Sequence, residues 1–158
     1  MNSSNHSLSQ DFSEWIRLNT SGKDSQNHIF LLGDQLDDIT KYLIKKASKE
    51  ILVLNPFVEK CNITEALRTA QTRGVKVTLI TRNLSAYNRS EQKAECHLSL
   101  MQSEVRVGYN NQVHAKVMAI DEEVAIVSSM NLITTSEAGQ SIEAGIVSIE
   151  EEVVESSQ

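Results

Sequence analysis

Short apolar runs alternate with amphipathic stretches along most of this chain. Residues 28–32 form a β-like run ended by Gly33. In residues 34–49, Leu36, Ile39, Leu43 and Ile44 recur at helical spacing. Asp34, Asp37 and Asp38 lie at the start of that stretch and lysines at its end, as the helix macrodipole favours. Residues 50–54 read as a buried strand stopped by Asn55-Pro56. A second helix is expected over 62–73, capped by Asn62 or Thr64 and ended by Gly74. Next come a strand over 75–81, a polar loop over 82–90 and a helix over 91–103. A short strand over 105–107 leads to a turn at Tyr109-Asn110-Asn111. Two apolar runs then flank the acidic turn Asp121-Glu122-Glu123 and read as a hairpin. A last strand over 141–148 and the start of a helix over 150–155 close the pattern. The alternation predicts an α/β fold, a mixed β-sheet with helices on both faces.

The first residues break this pattern. Residues 1–10 are Ser/Asn-rich and read as disordered, and 11–19 as a short amphipathic helix with Trp15, Ile16 and Leu18 as its apolar residues. The expected organisation is a flexible segment over 1–27 and one domain over 28–158. A chain of 158 residues, 40% hydrophobic and 23% charged, suffices for one soluble domain. Aromatics make up only 4%, so the core must be mainly aliphatic. No apolar run approaches a membrane span, and the N-terminus lacks an apolar signal region, which points to the cytoplasm. Cys61 and Cys96 have no metal-type spacing and read as reduced, structural thiols. Asn-x-Ser/Thr triplets such as Asn62-Ile63-Thr64 then read as chance.

A net charge of −6 argues against a polyanionic partner until its distribution is considered. Residues 1–40 carry net −4 and residues 95–158 net −9, but residues 41–94 carry net +7. A basic middle can present a local basic surface. Lys41, Lys45, Lys46 and Lys49 account for part of it, and they read as a solvated helix face.

The candidate chemistry lies in the hairpin. His114 and Lys116 are two apart, so on a strand both side chains share a face. Ala115, Val117 and Ala119 suit the opposite, buried face. Ser129 and Asn131, again two apart, leave the second strand. An imidazole, an ammonium, a hydroxyl and a carboxamide at one point are suited to gripping a phosphate.

His114-x-Lys116, four residues, Asp121, six residues, then Ser128-Ser129-x-Asn131 resembles the HxK(x)4D(x)6GSxN signature of the phospholipase D superfamily. Ser128 stands where that family usually has glycine. The helix–Gly–strand phrase running from Ala66 through Gly74 to Val77 is also similar to the superfamily, and the resemblance covers roughly residues 28–155. It implies a phospholipase D-like fold and phosphodiester chemistry in which His114 attacks phosphorus and forms a phosphohistidine. Lys116 would hold a non-bridging oxygen, and Ser129 and Asn131 would donate to the others. Glu143 matches the family glutamate whose carboxylate orients the histidine. Asp121 and Ser128 read as structural members of the signature, Asp121 accepting backbone N–H bonds in its turn. No cofactor or metal is implied, because the lysine and amide donors already supply charge stabilisation.

The family places two signatures in each active site, and this chain has one. His6, His28 and His97 lack the following lysine and are expected in a tail, a strand and a helix. A homodimer with a shared two-fold site is therefore expected. Single-signature members resemble short endonucleases, so nucleic acid is the expected substrate and the expected activity is that of a nuclease. Arg82, Asn83, Tyr87 and Arg89 would contact it, the arginines through phosphates and the tyrosine by stacking. The same residues also suit an ordinary polar loop. Two other functions stay open: a phospholipid phosphodiesterase or phosphatidyl transferase, and a non-catalytic nucleic-acid-binding or dimerisation module of a larger protein.

Overall fold

The computed structural model describes residues 7–21, 26–83, 90–133 and 141–157. These contain helices α1 (Leu8–Asn19), α2 (Gly33–Lys46), α3 (Asn62–Thr72), α4 (Ser90–Gln102) and α5 (Glu151–Ser157). The strands are β1 (His28–Leu32), β2 (Glu50–Leu54), β3 (Lys76–Thr81), β4 (Arg106–Tyr109), β5 (Val117–Ile120), β6 (Val124–Ser128) and β7 (Ala144–Ser148). They form one sheet in the order β1-β7-β6-β5-β2-β3-β4. The β2-β3-β4 portion is parallel, and every other pairing is antiparallel. The expected mixed α/β architecture is what the chain adopts.

Registers explain the apolar runs. Ile29, Val147, Ile126, Met118, Val53, Leu79 and Val107 are successive cross-strand partners, forming one row across all seven strands. All but Val107 are buried. Burying such a side chain contributes roughly 1.5–3 kcal/mol, so this row is a large part of the core. Helix α2 covers this face, with Leu36, Ile39, Leu43 and Ile44 fully buried. Helix α5 lies against β5 and β6 on the other face, where Ser157 reaches a cleft lined by Leu54, Ile80 and Val117. On that same face the cross-strand neighbours Phe30, Ile146 and Val127 stay 61%, 49% and 49% exposed.

The N-terminal helix corrects the expectation of disorder up to residue 10. It starts at Leu8, where the Ser7 side chain accepts the Gln10 amide. Leu8, Phe12, Trp15 and Ile16 form its buried stripe, while Leu18 faces solvent at 66% exposure. The Trp15 indole donates to Asp38, and Glu123 accepts from both the Ser9 amide and hydroxyl. Residues 8–19 therefore share the core that was expected to begin at residue 28. Residues 1–6 lie outside the described part.

Helix α2 ends at Lys46, three residues earlier than expected. Arg73 donates to the carbonyls of Ile44, Lys45 and Ala47, closing the helix end. The amides of Ser48, Lys49 and Glu50 then turn to the Asp121 carboxylate at 2.7, 2.7 and 3.0 Å. Asp121 thus accepts backbone N–H bonds, but from the α2–β2 junction rather than from its own turn. Its own amide returns a bond to Glu50 O at 2.8 Å. Helix α3 is capped by Cys61, with Thr64 reciprocating from the third helical position. Strand β7 begins at Ala144, three residues later than expected, although the Gly33 amide still donates to Glu143 O one step beyond the last ladder pair. Gly33, at φ 54°, lets β1 run straight into α2.

Two stability outcomes follow from the hairpin turn. Asp121→Ala leaves three inward-facing amides unpaired and should cost about 3 kcal/mol, read as a lower urea midpoint with an unchanged slope. Glu122 has φ 58°, a left-handed conformation unfavourable to a side chain. Glu122→Gly should therefore stabilise by about 0.5–1 kcal/mol in the same measurement.

Candidate active site

Five of the six signature residues gather at one end of the sheet, beside the carboxyl ends of β2 and β3, while Asp121 lies at the opposite end. His114 and Lys116 are not inside a strand. They occupy the extended segment just before β5, because the β2–β5 ladder ends at Leu54–Val117 and β2 turns away at Asn55. Ala115, expected to be buried, is exposed beyond the end of the ladder. One further bond, from Ser128 N to Lys116 O at 3.1 Å, still ties the segment to β6. The His114 ring is exposed and makes no hydrogen bond to the described residues. Lys116 is half-buried, and its ammonium folds back onto the His114 carbonyl at 3.1 Å. Beneath it, Thr40, Met118, Ser128 and Met130 border a cavity of about 20 Å³, room for one water.

Residues 128–132 form the opposite wall. Ser128 Oγ accepts the Met130 amide at 3.1 Å and folds the chain over just after β6. Ser129 is fixed from three sides. Its amide donates to Ala144 O, its hydroxyl accepts from the Ala144 amide, and the same hydroxyl donates to Glu143 Oε2 at 2.5 Å. That last bond is short and charge-assisted. This carboxylate oxygen therefore holds Ser129, where the family resemblance implied an orienting bond to His114. Asn131 is half-buried, and its Oδ1 is enclosed with no partner among the described residues.

Asn55 went unrecognised in the sequence beyond its role as a strand stop. It is 3% exposed. Its Nδ2 donates to Met130 O at 3.1 Å, while its Oδ1 accepts from Phe57 N and Leu132 N. One carboxamide thus fastens the Ser129–Asn131 wall to the end of β2. The usable signal was an asparagine before proline at the carboxyl end of a central strand, where α/β sheets place their sites.

Ser128 in the place of the family glycine finds room because its cross-strand partner is Gly145. A Cβ on Gly145 would lie 2.8 Å from Ser128 Cβ and 2.9 Å from Val127 O.

Of the expected substrate contacts, Arg82 and Asn83 border the site. Arg82 Nε donates to Val113 O, and the Asn83 amide donates to Asn111 Oδ1. Tyr87 and Arg89 lie outside the described residues. His28 and His97 lie in β1 and α4, as expected. Burial, helped by nearby Lys93, holds His97 below the usual histidine range, and its Nδ1 meets the Tyr109 hydroxyl at 3.2 Å. Cys61 and Cys96 are buried thiols outside any disulfide, and burial pushes the Cys96 thiol up to about 12, so it is inert as a nucleophile. No helix among the described residues is long and apolar enough to cross a membrane.

Gly145→Ala should cost about 2 kcal/mol in a urea melt and disturb Ser129. Adding Ser128→Gly should restore part of that loss, since it removes one of the atoms struck.

The family model described as "Cardiolipin synthase, PLD-like domain" matches residues 41–158. A search of the curated proteins gives no match. Among solved structures the chain is similar to Nuc from Salmonella typhimurium, a phospholipase D family member. The TM-score is 0.72 at 18% identity, over 82% of this chain and 88% of that one. NucT from Helicobacter pylori gives 0.64 at 15% identity, over 82% and 90%. A polyphosphate kinase from Porphyromonas gingivalis gives 0.63 at 19% identity, over 80% of this chain but 24% of its own. At such identities the likeness is one of fold. The family model covers most of the chain, the six signature positions fall within it, and the sheet superposes on a known member: the chain belongs to the phospholipase D-like domain family.

Proposed function

We propose that this domain is a metal-independent phosphodiesterase that cleaves DNA or RNA at a site shared by two subunits. The observation that carries this reading is the placement, in a phospholipase D-like fold, of His114 and Lys116 on an extended segment whose backbone pairs with Ser128, directly before Ser129 and Asn131. In the proposed reaction the His114 imidazole attacks phosphorus and the P–O bond to the leaving group breaks, giving a phosphohistidine. His114 of the second subunit protonates the departing oxygen, which lies in line on the far side of phosphorus. The same imidazole then deprotonates water, which attacks the phosphohistidine and releases His114. Lys116 offsets charge on a non-bridging oxygen, and Asn131 donates to another. Glu143 orders Ser129, whose hydroxyl turns to the phosphate when substrate competes for its proton.

Pairing is supported by the site itself, which is open, with an exposed His114 and one signature per chain. The uncovered neighbours Phe30, Val127 and Ile146 add apolar surface at the same end of the sheet, of the kind a second copy buries. A second reading has its own support: the matching family description names cardiolipin synthase. On that reading the same histidine chemistry transfers a phosphatidyl group.

The test compares wild type with His114→Asn on a generic phosphodiester and on oligonucleotides, with a chelator present. Wild type should cleave both, and the variant should lose at least about a thousandfold in kcat. Loss of wild-type activity on chelation would overturn the metal-independent mechanism. Activity on phosphatidyl substrates alone would select the second reading. For the shared site, wild type is co-refolded with His114→Asn at varied ratios. Activity should fall as the square of the wild-type fraction, whereas a fully active monomer in sedimentation would refute sharing.

A further inference from the structure

Arg82 sits one residue beyond β3, and its guanidinium is fixed at one end only. Nε donates to Val113 O at 2.7 Å, the carbonyl immediately before His114. The guanidinium lies over the Phe57 ring, 5.3 Å from its centroid. The two terminal nitrogens have no hydrogen-bond or ion-pair partner among the described residues. Arg73 differs, since its guanidinium is spent on three carbonyls, and so does Arg68, which meets Ser99 and Glu65. A half-buried cation with both terminal nitrogens open is suited to a forked, bidentate grip on phosphate oxygens.

The surroundings are rigid. Asn110 N donates to Thr81 O at 2.8 Å, Asn83 N to Asn111 Oδ1 at 2.8 Å, and Val113 N to Asn110 O at 3.1 Å. The turn that delivers His114 is therefore laced to the end of β3, with Arg82 as one of the laces. A group bound to the free fork is held at a fixed offset from a phosphorus at His114.

We infer that Arg82, seated on Phe57, is a subsite for the phosphodiester that flanks the scissile one in a nucleic-acid strand. The inference rests on the phosphodiesterase reading above and deepens it. A strand offers a second phosphate one nucleotide away, and a phosphatidyl substrate with a single diester does not. Arg82 is thereby a specificity residue for polymers. Its Nε also positions the segment carrying His114, so a substitution must be read on two substrates.

The experiment measures kcat/KM for wild type, Arg82→Gln and Arg82→Lys on two probes, the p-nitrophenyl ester of thymidine 5′-phosphate and an oligothymidylate. The first has one diester and no neighbour, the second many. Whatever Arg82→Gln loses on the ester through the freed His114 segment, it should lose roughly tenfold or more beyond that on the oligomer, with Arg82→Lys between. In parallel, binding of fluorescein-labelled oligothymidylate is followed by anisotropy in the His114→Asn background across salt concentrations. Adding Arg82→Gln should reduce the slope of log affinity against log salt by about 0.7, one single-strand phosphate contact. Equal losses on both probes would make Arg82 a positioning residue only and overturn the subsite. An unchanged slope would overturn it as well. Binding needs no turnover, so an inactive protein would still report on Arg82. A wild type that neither binds nor cuts the oligomer, yet transfers phosphatidyl groups, would remove the nucleic-acid reading and this subsite together.

Discussion

The Asp121 carboxylate projects from a hairpin turn into the junction between α2 and β2 and gathers three consecutive amides there. That contact sets where the antiparallel part of the sheet meets the parallel part. With Asp121 N bonded to Glu50 O, β5 must run antiparallel beside β2, and Ile120 must face Ile51. Every register beyond follows in steps: β6 on β5, β7 on β6, β1 on β7. A buried carboxylate is costly unless satisfied, and backbone amides satisfy this one. The same turn carries Glu123, which holds the start of α1. One acidic turn thus anchors the N-terminal helix, the hairpin and the α2–β2 corner.

At the other end of the sheet the chemistry depends on supports that are themselves chemically quiet. Asn55 ties the 128–132 wall to β2, and Ser128 shapes it from within. Arg82 ties the His114 segment to β3. The two walls are therefore fixed to neighbouring parallel strands, so their separation is set by sheet geometry rather than by loops. In the proposed reaction, a site built this way is pre-organised for the charge that develops on a phosphate. His114 itself remains exposed, as the proposed encounter with a substrate and a second imidazole requires.

Much of this was legible in the residues. The period of the apolar positions located the seven strands and the helices α2, α3 and α4, because each buries one face. The signature spacing singled out the candidate site, and the hairpin sets His114 and Lys116 just before β5 beside the exit of β6. Contacts made across long sequence separations were not legible. Lys46 ends α2 because of Arg73 and Asp121, which lie far along the chain. Residues 8–10 looked polar enough to be disordered, yet Glu123 and the buried stripe from Leu8 to Ile16 order them. The alternation rule carried His114 and Lys116 one step too far, since it cannot show where a ladder loses its partner. Asn55 read as a strand stop because its bonds go to residues 57, 130 and 132.

Gly145 and Ser128 face each other across β6 and β7 with no space to spare. In an evolving lineage these two positions cannot drift independently. A methyl group gained at 145 also meets Val127 O and Leu36, so glycine at 128 eases it only in part, whereas a hydroxymethyl group at 128 is accommodated as long as 145 stays bare. Descent through such a pair is one-sided: position 128 is free to grow and shrink, while position 145 stays glycine.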